Sequence, residues 1–113
     1  MIAVIFEVEP KLDQNQEYFN EAKNLKIYLQ QVPGFISIER FQSLTNNSKY
    51  LSLSFFEDEQ AVKQWRNQFM HQKSQTKGRE QIFEHYRLRV ASVIRDYGMQ
   101  DKAQSPDNIK GEQ

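Results

Sequence analysis

The chain has 113 residues, and its 15 Lys and Arg balance its 15 Asp and Glu to a formal net charge of 0, with an isoelectric point near 6.7. That length fits one domain with one modest core, and neutrality argues against a general binder of nucleic acid or anionic membrane. Cysteine is absent, which removes disulfides, thiolate metal sites and cysteine nucleophiles.

Residues 2–9 alternate Ile2, Val4, Phe6 and Val8 against Ala3, Ile5, Glu7 and Glu9, the pattern of a strand, and Pro10 ends it. A helix is predicted next, with Asp13 as its N-cap. Tyr18, Ala22, Leu25 and Leu29 form its inward stripe, with Phe19 and Ile27 beside them, and it stops before Pro33-Gly34. Residues 35–44 read as a second strand, Asn46-Asn47-Ser48 as a turn, and residues 50–56 as a third strand completing a hairpin. On that third strand Ser52 and Ser54 share a face, which would leave room for a ligand or a second subunit.

Asp58 caps a second helix whose inward side carries Ala61, Val62, Trp65 and Phe69. From Met70 to Lys77 the apolar content collapses, so this stretch is either a polar continuation of the helix or a loop. Residues 79–83 restart helical spacing. Residues 85–97 alternate again, placing Tyr86, Leu88, Val90, Ser92 and Ile94 against Arg87, Arg89, Ala91, Val93 and Arg95, a fourth strand. Residues 99–113 have little to bury and form an irregular or mobile tail after a domain spanning 1–98.

The order β-α-β-β-α-β specifies an α+β fold, the ferredoxin-like split βαβ, with two helices on one face of a four-stranded antiparallel sheet. The other face would carry Ala3, Ile5, Phe35, Phe41, Tyr50 and Phe56. It is too aromatic to be left wet, so a homodimer covering it with an identical sheet is expected. Mean hydropathy is −0.81, yet eight Phe and five Tyr supply large buried areas. No apolar run is long enough to span a membrane, and the N-terminal residues lack the basic and small-residue features of a secretion signal. A cytoplasmic protein without membrane or nucleic-acid partners is expected.

The rare residues collect between 65 and 97, which hold the only Trp and both His. His71 is a general base, a ligand or a surface group; Trp65 is a core anchor or the wall of an aromatic pocket. His71 and His85 are not at metal-ligand spacing and no HExxH accompanies them, so no closed zinc site is expected, although a haem pocket needs only one axial His. Arg87, Arg89 and Arg95 share strand parity and are placed to pair with Glu7, Glu9 or Glu39. There is no GxGxxG, Walker A or GxSxG.

The run Phe-Phe-x-Asp-x-x-Ala-Val-x-x-Trp-Arg at residues 55–66, with His71, Gln75, Gly78-Arg79-Glu80, Tyr86-Arg87-x-Arg89-Val90-Ala91 and Arg95-Asp96-Tyr97-Gly98, resembles the antibiotic biosynthesis monooxygenase (ABM) domain family. The resemblance implies a dimeric α/β barrel and oxidation of a small aromatic or quinol-like substrate by dioxygen with no cofactor, the substrate carbanion passing an electron to oxygen. It gives His71 the catalytic role, makes Trp65 and Phe69 aromatic walls, and has Arg79 or Tyr86 hold the developing oxyanion. The alternatives it carries are a haem-binding or haem-degrading protein and a non-catalytic small-molecule-binding dimer. The haem branch is matched at Trp65, but its strand-one Asn falls near Glu7 here, and its axial His lies farther past the Trp than His71 does.

Overall fold

The computed structural model describes residues 1–75 and 83–105, with backbone alone for residues 68–75. Its elements run β1 (Ile2–Pro10), α1 (Asn15–Leu29), β2 (Phe35–Gln42), β3 (Tyr50–Phe56), α2 (Glu59–Gln75) and β4 (Phe83–Ser92). The strands form one antiparallel sheet in the order β2-β3-β1-β4, so the first strand of the chain lies inside the sheet. This is the split βαβ arrangement: β3 and β4 flank β1, and β2 closes one edge.

The sheet's two faces follow from the period of two along each strand. Ile2 and Val4 of β1, Phe35 and Ile38 of β2 and Phe56 of β3 pack with Leu25 and Leu29 of α1 and Ala61, Val62 and Trp65 of α2. Val8, Phe6, Tyr50 and Phe83 pack with Tyr18. These residues define the covered face. Ala3, Ile5, Glu7, Leu51, Leu53, Phe55, Glu39, Phe41, Arg87 and Arg89 alternate with them and make the open face.

That assignment corrects the aromatic inventory expected for the open face. Ala3, Ile5 and Phe41 belong to it, but Phe35, Tyr50 and Phe56 point under the helices, and Phe56 is fully buried. The strand pattern alone offered two apolar faces, and helix packing selected between them. Ser52 and Ser54 likewise lie buried on the covered face, away from any surface that a second sheet could meet.

Several boundaries also move. Asp13 does not cap α1; it adopts φ 70, the left-handed region that a short polar side chain tolerates, and the helix begins two residues later with no side-chain cap. Asp58 does cap α2, its Oδ1 accepting the Ala61 N–H at 3.0 Å. The polar stretch after Trp65 continues as helix to Gln75. Of the helical restart expected at 79–83, residues 79–82 lie outside the described residues, and Phe83 opens β4 instead. β4 ends at Ser92, so Arg95 lies beyond the strand, although the Val93 N–H still donates to the Met1 carbonyl at 3.0 Å. Residues 93–105 hold no helix or strand; they turn back on themselves through Asp96 N–H to Gln104 Oε1 (2.7 Å) and Ser105 Oγ to the Lys102 carbonyl (2.8 Å). No described helix is long and apolar enough to cross a membrane.

Candidate active site

The covered face divides into two unlike ends. One is the apolar cluster of Val4, Leu29, Phe56, Ala61, Val62 and Trp65. Trp65 is 7% exposed there, its ring centroid 6.4 Å from that of Phe56, so α2 presents it to β3 as a packed anchor. Ala61 and Val62, one turn earlier, complete the contact at helical spacing.

The other end is a run of rings in edge-on and tilted contact. Tyr18, from the first turn of α1, lies 5.7 Å from Tyr50 and 5.9 Å from Phe83. Phe19 meets Tyr50 edge-on at 5.3 Å, and Phe6 touches both Phe83 and Tyr86 at 5.9 Å. Tyr86 lies opposite Val8 on the helix side of β4, 54% exposed, so its ring flanks the cluster while its outer surface is open.

Two polar groups enter this aromatic end. Arg40, on β2 directly opposite Ser52, sends Nη2 to the Ala22 carbonyl of α1 at 3.2 Å. Its Nε and the Tyr18 hydroxyl are both buried without any hydrogen-bond partner. Each unmatched donor costs about 1–3 kcal/mol. Among the described residues no carboxylate forms an ion pair with Arg40. Burial raises the Tyr18 phenol above its ordinary pKa, although the neighbouring Arg40 charge opposes part of that shift. The phenol therefore stays a neutral donor. Sequence reasoning placed Tyr18 on the inward stripe of α1 and passed over Arg40; the signal available was a cation at an inward-facing position of an alternating strand.

A polar cleft of about 360 Å³ is lined by Glu7, Lys49, His85, Arg87 and Arg89 of the open face and reaches Val8 and Tyr86 of the aromatic end. Glu7 pairs with Lys49 Nζ at 3.0 Å and also with Arg89, bearing out the expectation that an arginine of the last strand would meet a glutamate of the first. The Lys49 ammonium, followed by the Arg89 guanidinium, holds the Glu7 carboxyl below its usual value. Glu9 accepts from Asn46 Nδ2 at 2.8 Å.

Of the residues singled out in the sequence, Trp65 and Tyr86 are both on the covered face but at different ends of it. The side chains of Phe69 and His71 lie outside the described residues, as does Arg79. A haem would need an axial ligand between helices and sheet. Of the two His, His85 lies opposite Glu9 and lines the open-face cleft, and the side chain of His71 lies outside the described residues. Among the described residues no group of three or more His, Asp or Glu could hold a metal ion.

Comparison with known proteins agrees with this architecture. A Pyricularia oryzae protein named jasmonate monooxygenase ABM is 42% identical over 93 residues, which cover 82% of this chain but 43% of that protein; the chain thus spans less than half of its relative's length. Two solved structures share the fold at low identity. SnoaB, a cofactor-independent oxygenase from Streptomyces nogalater, superposes with a TM-score of 0.70 at 10% identity, over 84% of this chain and 94% of that one. The heme-degrader MhuD from Mycobacterium tuberculosis superposes at 0.67 with 15% identity, over 87% of this chain and all of the other. The sequence model of the antibiotic biosynthesis monooxygenase family matches residues 1–77, and the chain belongs to that family.

Proposed function

We propose that the chain is a monooxygenase that oxidises a small aromatic or quinol-like molecule held between its helices and sheet, without metal or flavin. The observation that carries this reading is the ring cluster of Tyr18, Phe19, Tyr50, Phe83, Phe6 and Tyr86 at one end of the covered face. Such a wall suits a flat, apolar body. The kinship with a protein named as a monooxygenase supports the reaction class.

In the proposed reaction a base removes a proton from an activated substrate carbon, and the resulting anion reduces dioxygen. One oxygen atom enters that carbon as a carbonyl and the other leaves as water, so an activated methylene supplies all the electrons. His71 takes the proton, Phe69 walls the substrate together with the rings around Tyr18, Arg79 or Tyr86 steadies the oxyanion, and Trp65 anchors the helix that carries His71. The catalytic unit ends near Gly98. It works as a homodimer in which the open faces meet, supported by Ile5, Leu51, Leu53 and Phe55, which are partly buried there, and by Phe41, 44% exposed.

Oxygen uptake with a panel of anthrones and naphthoquinols, with jasmonate included because of the Pyricularia relative's name, tests the reaction. The expected result is uptake above the spontaneous rate, one labelled oxygen atom in the product, and a loss of about a hundredfold or more in His71→Ala. Binding without uptake would instead establish a non-catalytic binding dimer. A Soret shift on adding haemin that His71→Ala abolishes would replace the cofactor-free reading with a haem one. Sedimentation velocity checks the dimer.

A further inference from the structure

The rings around Tyr18 suit a flat apolar body, and the donors beside them specify what else that body carries. Arg40 brings a full positive charge under α1 with one hydrogen bond to a backbone carbonyl, and among the described residues it has no carboxylate partner. The Tyr18 hydroxyl, in a residue 4% exposed, has no partner either. The two groups interact, one from the first turn of α1 and one from β2, where the small Ser52 stands opposite Arg40. The charged groups of the adjoining strands do not compensate it: Glu7 and Glu39 project from the open face, and Glu7 is already paired with Lys49 and Arg89. A buried neutral phenol with no acceptor, beside a partly buried guanidinium whose Nε has none, forms a receptor for negative charge.

We propose that this site takes a ring-bearing molecule with an anionic oxygen, a carboxylate or an ionised phenol, which meets the Tyr18 hydroxyl and the Arg40 guanidinium together. The ring-bearing body rests on the function proposed above; the requirement for an anion rests on the donors. Arg40 is itself only partly buried, so its charge is not sealed from solvent. The anionic end would orient the molecule, fixing which carbon lies toward α2.

Isothermal titration of the full chain at neutral pH with naphthoate, its methyl ester and dinitronaphtholate tests the proposal. Naphthoate is expected to bind at least about tenfold more tightly than the neutral ester, the scale of one charge-assisted hydrogen bond. Tyr18→Phe and Arg40→Gln should each erode that ratio by weakening naphthoate more than the ester, and Arg40→Lys should keep part of it. A preference shown by dinitronaphtholate alone would identify an ionised phenol as the ligand's anion. Equal affinity for acid and ester, a preference that survives both substitutions, or no binding by any probe would overturn the proposal; the acid-against-ester comparison in the unmodified chain needs no variant to fold. Loss of oxygen uptake across the substrate panel with the anion preference intact would defeat the oxygenase reading alone.

Discussion

The two ends of the helix-sheet layer solve the same packing problem differently. Among the described residues the cluster around Trp65 leaves no buried side-chain polar atom without a partner, whereas beside the rings at the other end the Tyr18 hydroxyl and the Arg40 Nε both lack one. A domain under selection for stability alone would have filled both ends like the first. The difference teaches that the Trp65 end holds the fold together and the Tyr18 end is kept under-satisfied, which is how a binding site is recognised in a small domain.

The contrast is broken or sharpened most strongly by Trp65→Ala. Removing the indole leaves a cavity against Phe56, and the expected loss is about 3–5 kcal/mol in urea denaturation. A loss below about 1 kcal/mol would show that the tight end is not where the stability resides.

Tyr18→Phe is expected to raise stability by about 1–3 kcal/mol, because the hydroxyl it removes is buried with no partner. Its effect should grow with alkali. The folded-state pKa is raised by burial, so the phenol's contribution is fully present below the ordinary tyrosine value, about 10, and is lost as pH rises through the folded one. Denaturation curves taken across alkaline pH should therefore fall more steeply for the unmodified chain than for Tyr18→Phe. Identical slopes would mean that Tyr18 titrates as a solvated phenol.

The smallest effect belongs to the open face. Glu7 has a lowered pKa, so its contribution is present above the ordinary carboxylate range and disappears as pH falls through the lowered value. Being exposed, the Glu7 pairs with Lys49 and Arg89 are screened by salt. Glu7→Gln should flatten the acid limb of stability slightly at low ionic strength and leave it unchanged in molar salt; a difference that persists in salt would mean the cluster is covered in solution.

How much of this was legible in the sequence depended on whether a pattern had one physical solution. The hairpin of β2 and β3 and the stripe of Ala61, Val62 and Trp65 did, since turn chemistry and helical spacing admit little else. The faces of β1 and β3 did not. Both alternates of β1 are largely apolar, and on β3 Phe55 competes with Phe56, so only the placement of the helices decided that Phe56 is core and Phe55 is not. The α1 cap at Asp13 failed because an aspartate tolerates the left-handed turn as readily as the cap. The Arg40 and Tyr18 pairing was illegible for another reason: it joins residues 22 apart on different elements, and no local spacing encodes such a meeting.

Gly34 ties these observations together. It adopts φ +90, a Cβ placed there would stand 2.9 Å from the Ala61 Cβ, and its carbonyl accepts the Glu57 N–H at 2.7 Å. The exit of α1 and the entry of α2 are thereby clasped at a single point, like two covers sharing a spine. A side chain at position 34 would push against Ala61 and prise the two helices apart at that clasp, so the close approach that brings Val62 and Trp65 onto Phe56 depends on a residue with no side chain at all.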